Sequence, residues 1–226
     1  MSIASNLSLI RQQLSDSECT LIAVSKTYPE STILEAYNSG QRVFGENKVQ
    51  ELVAKYEQLP KDIEWHLIGH LQSNKVKYIA PFVHLIHSVD SWKLLKEINK
   101  EGNKNNRILN VLLQIYIAEE ETKFGLNFDE AEALLKSEEL TTLEHIRIVG
   151  FMGMATNTED LQKIRTEFRS LKTFFEKCRQ NYSTSNIALQ EVSMGMSSDY
   201  LIAVEEGSTM IRVGSLIFGN RNYTPK

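Results

Sequence analysis

The sequence is short of cysteine. Two cysteines, Cys19 and Cys178, stand far apart in 226 residues and show no metal-type spacing. That excludes a disulfide framework and a structural zinc ribbon, and fits reduced thiols in a cytoplasmic protein. Long apolar runs are missing too. No window reaches the roughly 18–20 residues of a membrane span. The opening "MSIASNLSLIRQQL" lacks the charged-then-apolar form of a secretory signal. There is no basic run and no arginine-rich tract. Net charge is −4 with the signs interspersed, so nucleic acid is not the expected partner. No internal repeat or low-complexity linker marks a second domain, and residues 1–226 read as one. Of the five histidines, His66 and His70 are four apart but straddle a strand end and Gly69, so no metal is expected.

What is present is a regular alternation. Ile3, Leu7, Ile10 and Leu14 fall at helical spacing and predict an N-terminal helix over Ser2–Leu14. Eight β-like runs then follow: Leu21–Val24, Arg42–Phe44, Glu64–Ile68, Leu85–Ser88, "ILNVLLQIYI", "IRIVGFM", "LQEVSM" and "TMIRVG". Helical patterns separate nearly all of them. Pro29 near the start of one helix and Gly40 after its end follow the usual asymmetry. Strands joined by helices give a parallel sheet. Eight such units in about 220 residues is the count and size of a (β/α)8 TIM barrel. Little chain follows the last strand, so the N-terminal helix is expected to cover that sector. The competing architecture is an open doubly wound sheet, but no G-x-G-x-x-G follows the first strand.

Barrel active sites lie at the C-terminal ends of the strands. Read in order, those ends give Ser25-Lys26, Gly45-Glu46-Asn47, His66 to His70 and His87-Ser88. Tyr116, Met152-Gly153-Met154, Ser193 to Ser197 and Arg212 to Ser215 complete the ring. Lys26 ends the run "LIAVSKTYP". Lysine is rarely buried. One held against barrel walls loses hydration, which lowers its pKa and frees an amine for an aldehyde. A salt-bridged or snorkelling lysine fits the same stretch. "SMGMSSDY" offers small residues before a helix, with Gly195 permitting close backbone approach, Ser193 supplying a hydroxyl and Ser197 or Ser198 able to cap. Gly214 and Ser215 leave the last strand. Both turns follow strands seven and eight, where such barrels often bind phosphate. Arg212, two residues before Gly214, points to the same face and needs an acceptor. Asn47 can hydrogen-bond a ring substituent or cap a helix.

"AVSKTYP", "FGENKVQE", "WHLIGHLQSNK", "GFMGMA" and "VSMGMSSDYLIAVEEGSTMIRVGSLIFG" together resemble the pyridoxal phosphate homeostasis protein family, the YggS/PROSC type, over essentially the whole chain. The family is similar to the barrel of fold-type III enzymes such as alanine racemase. The resemblance implies that Lys26 carries pyridoxal 5′-phosphate (PLP) as a Schiff base. It implies a phosphate site of Ser193, Met194, Gly195, Gly214 and Ser215, with Arg212 facing the pyridine nitrogen and Asn47 near the ring. Lys48, where the family often has tyrosine, and Ala155 depart from the pattern outside that cup.

An arginine cannot accept a proton, so a ring nitrogen facing it stays unprotonated and the ring is a weak electron sink. The β-domain that supplies alanine racemase with its second base is not seen after the last strand. The expectation is therefore a PLP carrier in vitamin B6 homeostasis without robust catalysis, a monomer that passes PLP to apo-enzymes. The alternative is a PLP-dependent amino-acid racemase or lyase of modest activity.

Overall fold

Each of the eight apolar runs forms a strand, and side-chain parity along the strands decides which face is which. The structure, a computed structural model, describes residues 2–118 and 125–219; Met1, 119–124 and 220–226 lie outside them. The strands are β1 (Thr20–Val24), β2 (Val43–Glu46), β3 (Glu64–Leu67), β4 (Leu85–Val89), β5 (Leu109–Tyr116), β6 (Ile146–Met154), β7 (Ile187–Met196) and β8 (Met210–Val213). They close in sequence order into a parallel barrel. The seam pairs β1 with β8, Thr20 to Val213 in four registered steps that include Ile22 with Arg212. The (β/α)8 reading therefore holds, and the open sheet does not.

The core has two layers. Outward residues such as Phe44, Trp65, Val111 and Leu113 pack beneath the helices together with Leu52, Phe168 and Phe175. Inward residues Ile22, Leu85, Leu112, Met152 and Met210 fill the barrel itself. Leu112 lies inside while Val111 and Leu113 lie outside, which is the period-two alternation of a strand. Nine α-helices are described: α1 (Ile3–Gln13), α2 (Glu30–Asn38), α3 (Val49–Gln58), α4 (Val76–Ile79), α5 (Trp92–Lys104), α6 (Phe128–Lys136), α7 (Leu161–Asn181), α8 (Tyr200–Glu205) and α9 (Ser215–Phe218). The last is a single turn and cannot cover the sheet beside β8. As expected, α1 does so. It buries Leu7 and Ile10, and Asn6 donates to the carbonyl of Ile217 at 2.9 Å.

One boundary differs in a way that matters. The run "LQEVSM" extends two residues further as β7, through Gly195 to Met196, with a register shift against β8 between Ser193 and Met196. Gly195 sits at φ 94°, and a Cβ there would stand 2.5 Å from that of Ala203 in α8. Only glycine lets the strand kink this close to the helix that follows. The chain leaves the sheet at Ser197, later than its small residues suggest, and α8 starts at Tyr200 without a serine cap.

Candidate functional site

The C-terminal ends of β1, β2, β3, β6, β7 and β8 surround a cavity of about 370 Å³. That is within the usual range for a small-molecule site. Lys26 and Val24 border it from β1, and Asn47 and Ile68 from the ends of β2 and β3. Met154 and Met196 form its apolar flank, and Arg212 with Gly214 and Ser215 its β8 side. Five of the eight candidate residues are thus brought together: Lys26, Asn47, Arg212, Gly214 and Ser215. Ser193, Met194 and Gly195 do not border the cavity. They belong to β7, where Met194 points into the outer core and Ser193 into the barrel below the mouth. Met196, Ser197 and Ser198 take the places assigned to them. Two hydroxyls in this turn were in the sequence, but the length of β7 decides which serines face the cavity.

The β7 and β8 loops are stitched together, since the Gly214 N–H donates to Ser197 Oγ at 3.3 Å. The first N–H groups of α9, at Ser215 and Leu216, have no intrahelical acceptor. Hydroxyls and backbone donors therefore collect on one wall, with Lys26 on another. Asn47 projects over Gly69, whose missing side chain leaves room; a Cβ there would meet the Asn47 carbonyl at 2.4 Å.

Arg212 forms the floor. It is buried, and burial pulls its guanidinium down to about 10, with Asp199 nearby pulling the other way. One terminal nitrogen donates to Ser193 Oγ (2.5 Å) and the other to the Gly153 carbonyl (3.0 Å). A guanidinium has five N–H donors, so a further acceptor in the cavity can still be served. Below Ser193 a polar chain crosses the barrel. Ser193 Oγ lies 3.0 Å from His87 Nδ1, and His87 Nε2 lies 3.0 Å from His66 Nδ1. The protons can run either way along it. In both orders the chain ends on His66 Nε2, which is buried without a hydrogen-bond partner.

Lys26 is held from outside the barrel. Its neighbour Thr27 is at φ 71°, a rare conformation for a β-branched residue, and the Thr27 N–H donates to Glu51. Its other neighbour, Ser25, donates through Oγ to Glu46 Oε1 at 2.6 Å. Lys55 of α3 ties these together. Its ammonium donates to the Ser25 carbonyl (2.8 Å), Glu46 Oε1 (2.7 Å) and Glu51 Oε1 (2.6 Å). Glu46, read as a residue of the mouth, instead turns back beneath α3. Sequence reasoning passed over Lys55, although a lysine on the buried face of an amphipathic helix was the available signal.

These buried groups set a pH dependence. Burial holds His66 down at about 3 and His87 well below the ordinary imidazole value. Burial pushes Glu46 up to about 7, against the pull of Lys55. Between about pH 6.5 and 4.5 the unfolded chain holds from one to two histidine protons that the folded chain lacks. The folded chain gains the Glu46 proton first. Asp199, also raised by burial, works in the Glu46 direction. The histidines outweigh Glu46 by about one proton, so stability falls by about 1 kcal/mol per pH unit on acidification through this window. Urea unfolding at a series of pH values in chelator-containing buffer checks this. Glu46→Gln should steepen the slope toward about twice that value. A flat or rising stability would show that the two imidazoles protonate in place.

The chain matches the family model "Alanine racemase, N-terminal domain" over residues 1–222. It is 42% identical over 204 residues to the pyridoxal phosphate homeostasis protein of Aquifex aeolicus, covering 90% of this chain and 87% of that one. Among solved structures it resembles PipY of Synechococcus elongatus PCC7942 with PLP bound, at 38% identity and a TM-score of 0.86, covering 96% and 100% of the two chains. Alanine racemase from Bartonella henselae, at 16% identity and a TM-score of 0.70 over 97% of this chain and 60% of that one, shares the fold.

Proposed function

The chain belongs to the pyridoxal phosphate homeostasis protein family, and from that premise we propose that it binds PLP in the cavity at the barrel mouth, covalently through Lys26, and serves vitamin B6 homeostasis as a carrier. The observation that carries this reading is the convergence on one cavity of an amine, a buried guanidinium and a wall of hydroxyl and N–H donors. Those three features match the three recognisable parts of PLP: an aldehyde, a pyridine nitrogen and a phosphate. The Lys26 amine would take the aldehyde carbon with loss of water. Ser197, Ser198, Gly214 and Ser215 would hold the phosphate, Arg212 the ring nitrogen, and Asn47 a ring substituent.

When bound, PLP supplies an electron-withdrawing ring whose pull is greatest when its nitrogen is protonated. Arg212 is a donor only, and its anchors on Ser193 and Gly153 fix it in that role. It keeps the acceptor it meets unprotonated, which favours holding the cofactor over turning over amino acids. Release to apo PLP-dependent enzymes is the carrier's expected outlet.

The protein loaded with PLP, reduced with borohydride and digested should carry about one adduct per chain on the Lys26 peptide. Unreduced holo-protein should reactivate an apo PLP enzyme, with no racemisation or cleavage of amino acids above buffer. An absent adduct would overturn the covalent reading. Sustained amino-acid turnover that disappears in Lys26→Ala would replace the carrier by a racemase or lyase.

A further inference from the structure

At the opposite end of the barrel from the cavity, three metal-type ligands meet. Glu64 is the first residue of β3, His66 is two residues on and faces the same way, and His84 immediately precedes β4. The pairing of the strands places them. The His84 N–H donates to the Trp65 carbonyl at 2.9 Å, and His66 registers with Leu85. One ligand atom from each residue lies within 4.8 Å of the other two. Glu64 Oε2 is 3.7 Å from His84 Nε2, and the His66 and His84 rings lie nearly parallel, 9° apart in plane. His84 and Glu64 are about half exposed, while His66 is buried and ends in an Nε2 with no hydrogen-bond partner. A buried polar atom of that kind costs stability unless something meets it.

We propose that Glu64, His66 and His84 bind a divalent transition metal of the zinc type at the floor of the barrel. Two imidazoles and one carboxylate are a known zinc donor set, with the fourth position left to water. The metal–ligand lengths of about 2.0–2.2 Å put tetrahedral ligand atoms roughly 3.3 Å apart. The Glu64–His84 separation is already close to that. Rotation of two half-exposed side chains brings the set together without moving a strand. Calcium and magnesium, which want six or more oxygens, do not suit it.

The neighbouring residues fit as well. A metal on His66 Nε2 requires the proton on Nδ1, which then donates to His87 Nε2. His87 Nδ1–H in turn donates to Ser193 Oγ. Metal-bound histidines characteristically donate their other N–H in this way. Occupancy thus selects one of the two proton orders of the chain that ends at Arg212. The site itself does not depend on what the cavity at the mouth binds.

The test uses the full chain stripped of metal with a chelator. Zn²⁺ is then titrated in competition with a chromophoric chelator, and Co²⁺ is added separately to read its visible bands. The expected result is one equivalent per chain and the spectrum of four-coordinate Co²⁺. His84→Ala and Glu64→Gln should each weaken uptake at least about tenfold, since losing even an outer-sphere partner costs that much. Both residues are exposed, and melting in chelator should show both variants as stable as the parent. Added Zn²⁺ should raise the melting midpoint of the parent chain and not of His84→Ala. Absence of stoichiometric uptake would overturn the proposal. So would uptake that both variants leave unchanged, which would place the metal elsewhere on the chain.

Discussion

Lys26→Ala should leave no borohydride-fixed adduct, and PLP carried through gel filtration should fall from about one equivalent per chain to almost none. Lys26 is the one lysine bordering the cavity among the described residues. Lys48 and Lys75 border a neighbouring cleft beyond Asn47. With Lys26 gone, no amine among the described residues borders the site to replace it. The hydroxyl and N–H wall and Arg212 remain, so reversible binding persists but weakens. A hundredfold loss, on the order of 3 kcal/mol, is the expected size. Equilibrium dialysis of the variant against PLP reads it, and an adduct displaced to Lys48 or Lys75 would show that the cofactor sits in the cleft instead. Melting of the variant should match the parent, because Lys26 is only half-buried.

The second large effect concerns stability. Lys55→Met should cost about 3–5 kcal/mol and lower the melting midpoint by roughly 10 °C. Lys55 and Glu46 are both buried, with side-chain exposures of 3% and 0%. Removing the ammonium takes the counter-charge from a buried carboxyl already pushed up to about 7, so Glu46 takes up a proton, and its Oε2 already has no hydrogen-bond partner. It also releases the Ser25 carbonyl and Glu51, the two supports nearest Lys26. Replacing Glu46 by Gln in the same chain should recover part of the loss, because an amide needs neither a counter-charge nor a proton taken from solvent. A cost below about 1 kcal/mol would mean that water reaches the pair. The same variant should slow adduct formation at Lys26 even at temperatures where it is folded.

The two effects differ in how far the sequence announces them. Lys26 is legible because it ends an apolar run that can only be a strand, and strand ends in a barrel face the mouth. The eight strands are legible for the same reason: short apolar runs alternate with helical spacing from Leu21 to Val213. The wall of hydroxyl and N–H donors is legible only to within a few residues. "SMGMSS" looks like a turn throughout, but Ser193 and Met194 alternate inward and outward as strand residues do, and the kink comes at Gly195. Lys55 itself stands out on the buried face of α3, but its partners and the polar chain from Arg212 to His66 are not legible. Their bonded members stand up to 106 positions apart. A charge on a buried helix face or a histidine in a strand has no visible partner until the barrel closes.

That closure has a consequence for the order of assembly. The bond from Asn6 to the Ile217 carbonyl spans 211 residues, and β1 completes its pairing only against β8. A chain emerging from the ribosome makes α1 and β1 before the rest of the barrel, yet both must wait for β8 and α9 before either edge is satisfied. Until then β1 presents an unpaired backbone edge, and the apolar side of α1 lacks its cover. The segment of the barrel made before the others is therefore among the latest to find its place. The interval between the two events is when the nascent chain is most exposed to chaperones, proteases and its own copies.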